Sequence, residues 1–398
     1  MAKHRNDAPL TQENIQTDLR SRFRIAIHQT LTVMLEAEIQ ALVGAPSGAR
    51  TSGRRDVRNG SYPRQIVTSE GAIELAVPRS REHGAATATL GRYKRRVEAL
   101  DDTIVAAYVN GVLTRNMAKV TESLLGATVD KSTVSRITAK LSHDIEALRS
   151  APIGDDIVYL YLDATFLKTR WARQVESTAA LVAYGVGRDG YRRLLGVTVD
   201  LAESEASWTE LLSQLVARGL RGVELVIADE HAGLVAAVRK LFPEAKRQRC
   251  TVHFMRNIMT KAPARLHARL GRELSRIFDA PSLDVAKARA IELKGKLGKH
   301  LPEAMELLDK GWAAATQFYS FPSVHWKKIR TTNGVERLNV EIKRRTRSVG
   351  AFPDRASCLR LITAVVVQQA QQWAYRPYLH TSGFRTPGKE VPNVKLAA

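Results

Sequence analysis

Ile157-Val158-Tyr159-Leu160-Tyr161-Leu162-Asp163 is an apolar run that ends on a carboxylate, and it sets the fold. A run of this length predicts a strand over 157–163. A second run, Val223 through Ala228, leads in the same way into Asp229. Between the two lie strand candidates at 176–187 and 191–200, joined by Gly187-Arg188-Asp189-Gly190. That turn makes a hairpin and therefore a mixed sheet. A helix over 205–218 contains Trp208. After Asp229 come a helix over 232–241 and a strand ending near Cys250–Val252.

Downstream, 253 to about 320 is almost wholly helical, with breaks at Pro263, Pro281 and Pro302. After Pro322, Thr331-Thr332-Asn333-Gly334-Val335-Glu336-Arg337-Leu338-Asn339 starts a basic helix. A further helix covers roughly 356–373, and a Gly- and Pro-rich tail reads as irregular. The fold expectation is an α/β core, 151–252, interrupted by a helical insertion, 253–322, and completed by 323–398.

Upstream, residues 1–12 are polar and expected to be disordered. From Glu13 to Val43, Leu19, Phe23, Ile27, Leu31, Leu35 and Ile39 recur at helical spacing. Gly44 to Pro63 reads as a basic linker. Ile66, Val67, Ile73, Leu75 and Val77 flank Glu70-Gly71 as a hairpin ending at Pro78. Residues 101–150 form a helical unit: Thr114 caps a helix to Leu125, Gly126 breaks it, and Asp130 or Ser132 opens the next. Ser132, Thr133 and Arg136 at that helix start resemble a helix-turn-helix recognition helix; a plain helical hairpin is the alternative. These residues divide into a helix and linker, 1–60, and a DNA-binding region, 61–150. No internal repeat is present.

The chain has 398 residues and a net charge of +21, from 61 Lys plus Arg against 40 Asp plus Glu. Such an excess points to a polyanionic partner. No segment approaches the roughly 20 apolar residues that span a bilayer, and the first residues lack a signal-peptide core, so nucleic acid is favoured over a membrane surface. Cys250 and Cys358 are too few for a disulfide framework and fit a reducing cytoplasm.

Asp163, Asp229 and Glu336 are the candidate chemistry. Carboxylates on two strand ends and one helix can converge on a pair of hard divalent cations, which clamp both oxygens of an in-line displacement at phosphorus. Taken singly, either Asp is an ordinary helix cap or solvent-facing group. Glu336 would be the third helical residue of a capping box if Asn333 were the N-cap. Its helix continues through Val340, Lys343 and Arg347. Arg249 and Arg256, with Arg247, Lys261, Arg265, Arg269, Arg272 and Arg276, make one basic cluster. Arg330, Lys343, Arg344, Arg345 and Arg347, with Lys327 and Lys328, make another around Glu336. Both are expected to line a DNA channel. Trp312 and Trp326 are candidates for core packing or for stacking on an unpaired base. Cys250 and His253 form a Cys-x-x-His pair, but a structural zinc site wants four ligands and no second cysteine lies nearby.

Tyr159-Leu160-Tyr161-Leu162-Asp163-Ala164, Ala228-Asp229-Glu230-His231-Ala232-Gly233-Leu234, Gln248-Arg249-Cys250-Thr251-Val252-His253-Phe254-Met255-Arg256-Asn257 and the long block from Thr331 to Arg347 resemble, in order, the Mutator-type transposases of bacterial insertion sequences. The resemblance runs from about 50 to 375. It implies an RNase H-like catalytic domain with an Asp-Asp-Glu triad at Asp163, Asp229 and Glu336, binding two Mg²⁺ ions for which Mn²⁺ may substitute. It also implies action on double-stranded DNA, at terminal inverted repeats and a target, by a homodimer or larger assembly. Cys250 and His253 match a family signature near the catalytic strands. There His253 would touch the scissile phosphate or support the site; a packed Cys and a helix-capping His are the alternative. Lys246-Arg247 departs from the family, which often has an aromatic residue before Gln-Arg-Cys. A structure-specific nuclease and a catalytically silent DNA-binding regulator remain the competing functions.

Overall fold

The computed structural model describes residues 12–49, 51–68, 70–86, 88–90, 98–125, 128–154, 156–171 and 174–384. The expected disorder before residue 12, the helix break at Gly126 and the tail beyond 384 lie outside them. The chain divides into two units, Met1–Ala139 and Lys140–Ala398, ahead of the boundary expected after residue 150.

In the first unit, α1 (Gln12–Val43) packs Leu35, Ile39 and Val43 on Ile66, Ile73, Leu75 and Val77. Those come from an antiparallel hairpin, β1 (Arg58–Thr68) and β2 (Gly71–Ser80). The helical stripe does not stay buried along its length: Leu19 and Phe23 are 47% and 57% exposed. Gly44, at φ +76, ends α1 in the left-handed region that favours glycine. The stretch after it is not a free linker as far as Pro63. Strand β1 begins at Arg58, and the buried Asp56 carboxylate accepts the backbone N–H groups of Val57, Glu82 and His83. A polar network of this kind leaves no apolar period to read. Helices α2 (Glu98–Val109), α3 (Thr114–Leu125) and α4 (Lys131–Thr138) then close around Leu100, Ile104, Met117, Val129, Val134 and Ile137. Thr114 is the first residue of α3 rather than its cap, whereas Asp130 does cap α4, accepting from Thr133 N at 2.9 Å.

The second unit opens with α5 (Leu141–Ser150) and a mixed sheet. Its strands are β3 (Ile157–Trp171), β4 (Gln174–Gly187), β5 (Arg192–Asp200), β6 (Leu225–Ala228) and β7 (Lys246–Arg249), in the order β5-β4-β3-β6-β7. The first three are antiparallel and the last two join in parallel. Helix α6 (Glu205–Ala217) follows β5, and α7 (Ala232–Leu241) follows β6. Leu160, Leu162, Leu181, Ala183, Val226 and Ala228 point to one face of the sheet, against Trp208, Leu211, Leu212 and Leu215 of α6 and Leu234 and Val238 of α7.

From Thr251 to Ser320 the chain is helical, with α8 (Thr251–Met259), α9 (His267–Phe278), α10 (Leu283–Leu297) and α11 (Pro302–Ala315) separated by short turns. Pro302 sits at the start of α11, where its missing N–H costs nothing. The last strand therefore stops at Arg249; Thr251 is already helical. The chain returns through α12 (Ser323–Ile329) and α13 (Asn333–Thr346), and α14 (Arg355–Gln371) packs on β5 and α13. Among the described residues, no helix is long and apolar enough to cross a membrane.

Candidate active site

Alternation along β3 puts Tyr159, Tyr161 and Asp163 on the face opposite Leu160 and Leu162. Asp163 does not end its strand. β3 runs on to Trp171 because its pairing with β4 continues through Trp171↔Gln174. What stops near Asp163 is the parallel neighbour: Tyr161 pairs with Ile227, and β6 ends at Ala228. Asp229 is the first residue past β6, and its charge reaches Asp163 closely enough to raise that carboxyl. Asp229 Oδ1 accepts the backbone N–H of His231 at 3.0 Å, an Asx turn into α7.

Helix α13 delivers the third carboxylate. Glu336 does not take part in a capping box: the helix starts at Asn333, its cap is Thr332, and Thr332 makes no side-chain cap bond. Thr332 instead donates its N–H and Oγ1–H to the Cys250 sulfur, at 3.4 and 3.2 Å. Seven residues on, Asn339 Nδ2 donates to Asp163 Oδ2 at 2.8 Å. Positions 332, 336 and 339 share one helical face, so Glu336 lies between two fixed points, one on Cys250 and one on Asp163. A stacked pair supports the same helix from below. Tyr161 and Tyr184 lie parallel, with centroids 4.5 Å apart, and a Cβ on Gly334 would come 2.2 Å from the Tyr184 hydroxyl. Only glycine allows α13 this close.

The electrostatics follow from burial. Asp163 is 7% exposed, and burial, with Asp229 and Glu336 adding to it, pushes its carboxyl up to about 7 against the pull of His253. His253 Nε2 lies 3.3 Å from Glu336 Oε1, an ion-pair contact without hydrogen-bond alignment. The Cys250 thiol beside its ring, with Asp163 and Glu336 further away, holds His253 up to about 9 despite burial. Burial opposes ionisation of Cys250, but His253 and Thr332 draw the thiol below its ordinary range. Glu336 Oε1, Asn339 Oδ1 and His253 Nδ1 are all buried without an aligned partner. A cation among the carboxylates would offset both the repulsion on Asp163 and the unmatched oxygens of Glu336 and Asn339. Oxygen donors of this kind suit Mg²⁺. The tightest group of ligand atoms is nevertheless not the three carboxylates but Cys250, His253 and Glu336, mutually within 4.8 Å.

Three residues that sequence reasoning passed over belong here. Asn339 lay unmarked inside the block around Glu336. Glu203 accepts from Trp208 Nε1 at 3.1 Å and lies 3.4 Å from His231 Nδ1. Its carboxyl is raised mainly by burial, opposed by Trp208 and His231 and reinforced by Asp229. Gly233 lets α7 approach the Ser204–Glu205 backbone, where a Cβ would meet Glu205 N at 2.5 Å. No local motif marks Glu203; only the packing of α6 against α7 brings it to Asp229.

The proposed DNA contacts separate into two groups. Arg256, Lys343, Arg344 and Arg347 are exposed, although Arg344 is held by Glu341 through two bonds of 2.7 Å. Arg249 and Arg345, expected to line a DNA channel, are instead buried and pack inside the fold. The Arg249 guanidinium lies 4.4 Å over the Phe254 ring and 3.6 Å from Glu230. Arg345 pairs with Glu341 and donates to Gln368 at 2.8 Å. Arg330 ties α13's approach to the end of α9, donating to Phe278 O and pairing with Asp279, both at 2.6 Å. Ser132 and Thr133 both turn their hydroxyls to Asp130, and Thr133 is buried; Arg136 is exposed and donates to Thr133 Oγ1 at 3.0 Å. Trp326 packs edge-on to Phe318 and Tyr319 and donates to Phe321 O, while Trp312 packs near Phe278.

Residues 2–376 match the sequence profile of the family described as "Transposase, Mutator family". The chain belongs to that family. It is 38% identical over 350 residues to the transposase for insertion sequence element ISRM5 of Rhizobium meliloti, covering 88% of each chain. It is 37% identical to the transposase for IS1081 of Mycobacterium tuberculosis, covering 86% of this chain and 83% of that one. It is 34% identical to the transposase for IS256 in transposon Tn4001 of Staphylococcus aureus, covering 87% and 90%. Among solved structures, the Drosophila P element transposase strand transfer complex is similar at 10% identity and a TM-score of 0.31, covering 71% of this chain and 83% of that one. A likeness that low fixes neither fold nor function.

Proposed function

We propose that this Mutator-family member is a DDE transposase that cuts and joins DNA at the ends of its own insertion sequence, with an RNase H-like catalytic domain built on β3–β7. One observation carries the reading: α13 is tied to Asp163 through Asn339, while Asp229, just past the end of β6, is near enough to raise the Asp163 carboxyl. That arrangement supports bringing Glu336 toward two carboxylates whose charges already act on one another. Asp163, Asp229 and Glu336 would hold two Mg²⁺ ions, or Mn²⁺ in their place. Such ions activate an attacking oxygen and neutralise the leaving oxygen in phosphoryl transfer. Water attacks the phosphodiester at the element end, the P–O3′ bond to the element's last nucleotide breaks, the phosphate stays on the 5′ end of the flanking strand, and a 3′-hydroxyl is released on the element. That hydroxyl then attacks a target phosphodiester in the same manner. No covalent bond to the protein is needed.

Asn339 orients Asp163, and His253 sits where it can steady Glu336 or a phosphate oxygen. Residues 1–150 would recognise the terminal inverted repeats, and Arg256, Lys343 and Arg347 would carry the backbone. Two ends must be joined, so a dimer or larger assembly is proposed on DNA. Incubating the purified protein with labelled DNA bearing the flanking terminal repeats, with and without Mg²⁺, tests the reading. Mg²⁺-dependent nicking at the repeat followed by joined product supports it. Cleavage of branched DNA without joining would support a structure-specific nuclease instead, and binding without cleavage a regulator.

A further inference from the structure

Cys250 follows β7, His253 lies one turn into α8, and Glu336 arrives on α13. Each offers one ligand atom within 4.8 Å of the other two. The sequence displays only the Cys-x-x-His pair, and two ligands make a poor zinc site. The fold supplies the third. Zinc–ligand bonds of about 2.0–2.3 Å place the donors of one tetrahedral ion roughly 3.3–3.8 Å apart, and His253 Nε2 already stands 3.3 Å from Glu336 Oε1. His253 and Glu336 are both partly exposed, so small rotations would bring their donors to a common ion. The sulfur is held in place by two hydrogen bonds from Thr332, and Glu336 Oε1 lacks an aligned partner.

The donor chemistry differs from that of the carboxylate triad. A thiolate and an imidazole select zinc-class ions, whereas Mg²⁺ takes oxygen ligands. We propose that Cys250, His253 and Glu336 form a three-ligand site for a thiophilic divalent cation such as Zn²⁺. Its occupant withdraws Glu336 from the Mg²⁺ site, so that the two metals compete for one side chain. Binding follows from the three ligands alone; the competition rests on the catalytic role proposed for Glu336. Zn²⁺ then acts as an inhibitor that excess Mg²⁺ opposes.

Cobalt titration of the metal-free, full-length protein tests the site. One equivalent of Co²⁺ should produce a near-ultraviolet sulfur-to-cobalt absorption that Zn²⁺ displaces and that Mg²⁺ weakens only in large excess. Cys250→Ser should lose the band and Cys358→Ser should keep it, since these are the only two cysteines. Circular dichroism confirms folding, and Cys250→Ala serves if Cys250→Ser is unfolded. Glu336→Gln should keep the band but weaken Co²⁺ binding by about tenfold or more, as loss of a metal-site contact does. In Mg²⁺, Zn²⁺ should inhibit cleavage by the wild type, with an inhibition constant that rises with Mg²⁺ concentration. Absence of the band, or its loss in Cys358→Ser rather than Cys250→Ser, overturns the site. A Cys250-bound ion without effect on cleavage overturns the competition. Unimpaired joining by Glu336→Gln in Mg²⁺ would sink the triad reading separately, leaving the cobalt result intact.

Discussion

Replacing Asp163 by Asn should stabilise the metal-free protein while removing its activity. Burial, with Asp229 and Glu336 nearby, raises the Asp163 carboxyl from 3.8 to about 7. A carboxyl that holds its proton more tightly when folded contributes stability below its unfolded pKa and loses it as the pH rises through the folded value. The loss therefore falls between about pH 4 and pH 7. At ~1.4 kcal/mol per pH unit, the rise from 3.8 to about 7 sets a ceiling of about 4 kcal/mol. Asn is nearly isosteric, and its Oδ1 can still accept from Asn339 Nδ2. Part of the strain is repulsion that other carboxylates retain, so a gain of about 2 kcal/mol at pH 8 is expected, or roughly 5 °C in Tm. Thermal unfolding in EDTA at pH 5 and pH 8 measures it. The two proteins should differ about a third as much at pH 5 as at pH 8, and Mg²⁺ should raise the Tm of the wild type more than that of the variant. A variant less stable than the wild type at pH 8 in EDTA would refute the claim that Asp163 is a strained carboxylate awaiting a cation.

Gly334→Ala would drive a Cβ to within 2.2 Å of the Tyr184 hydroxyl, lifting Glu336 by about 1 Å, a displacement that can cost on the order of 10²-fold in rate. Tyr184→Phe removes that oxygen, which is buried without an aligned partner; the double variant should recover most of the strand-transfer rate, and no recovery would mean the contact does not set α13. Asn339→Ala should lower the rate of cleavage by about 10-fold or more with little change in DNA affinity, because it frees Asp163 from its 2.8 Å bond; an equal loss of affinity in filter binding would make Asn339 a DNA contact. Lys343→Ala with Arg347→Ala should flatten the salt dependence of DNA binding by about 2 units if each side chain meets one phosphate, and an unchanged slope would put this face of α13 in solvent.

The order of strands and helices in the second unit was legible because apolar runs and turn residues mark it locally. Asp163 was legible as a residue but not its place: pairing with β4 extends β3 past it, and no sequence period reveals how long a partner strand continues. The capping box that was the alternative role for Glu336 does not form, because α13 starts at Asn333 and Thr332 turns its hydroxyl to Cys250, a residue distant in sequence. Sequence alone assigns both basic clusters to a DNA channel. Arg249 and Arg345 look like their neighbours in sequence but are buried by Phe254 and by Glu341 with Gln368. Charge runs do not say which member faces inward. Asn339 and Glu203 acquire their roles only from packing, through α13 on β3 and α6 beside α7.

If Asp229 and its partners hold a hard cation through oxygen, replacing one oxygen ligand by sulfur should change which metal supports the reaction. Asp229→Cys offers a thiolate that Mg²⁺ binds poorly and the softer Mn²⁺ binds better. Cleavage and joining of terminal-repeat DNA by this variant should be lost in Mg²⁺ and regained in Mn²⁺, with DNA binding unchanged in both. Undiminished strand transfer by Asp229→Cys in Mg²⁺ would contradict the account, because no metal would then depend on that carboxylate.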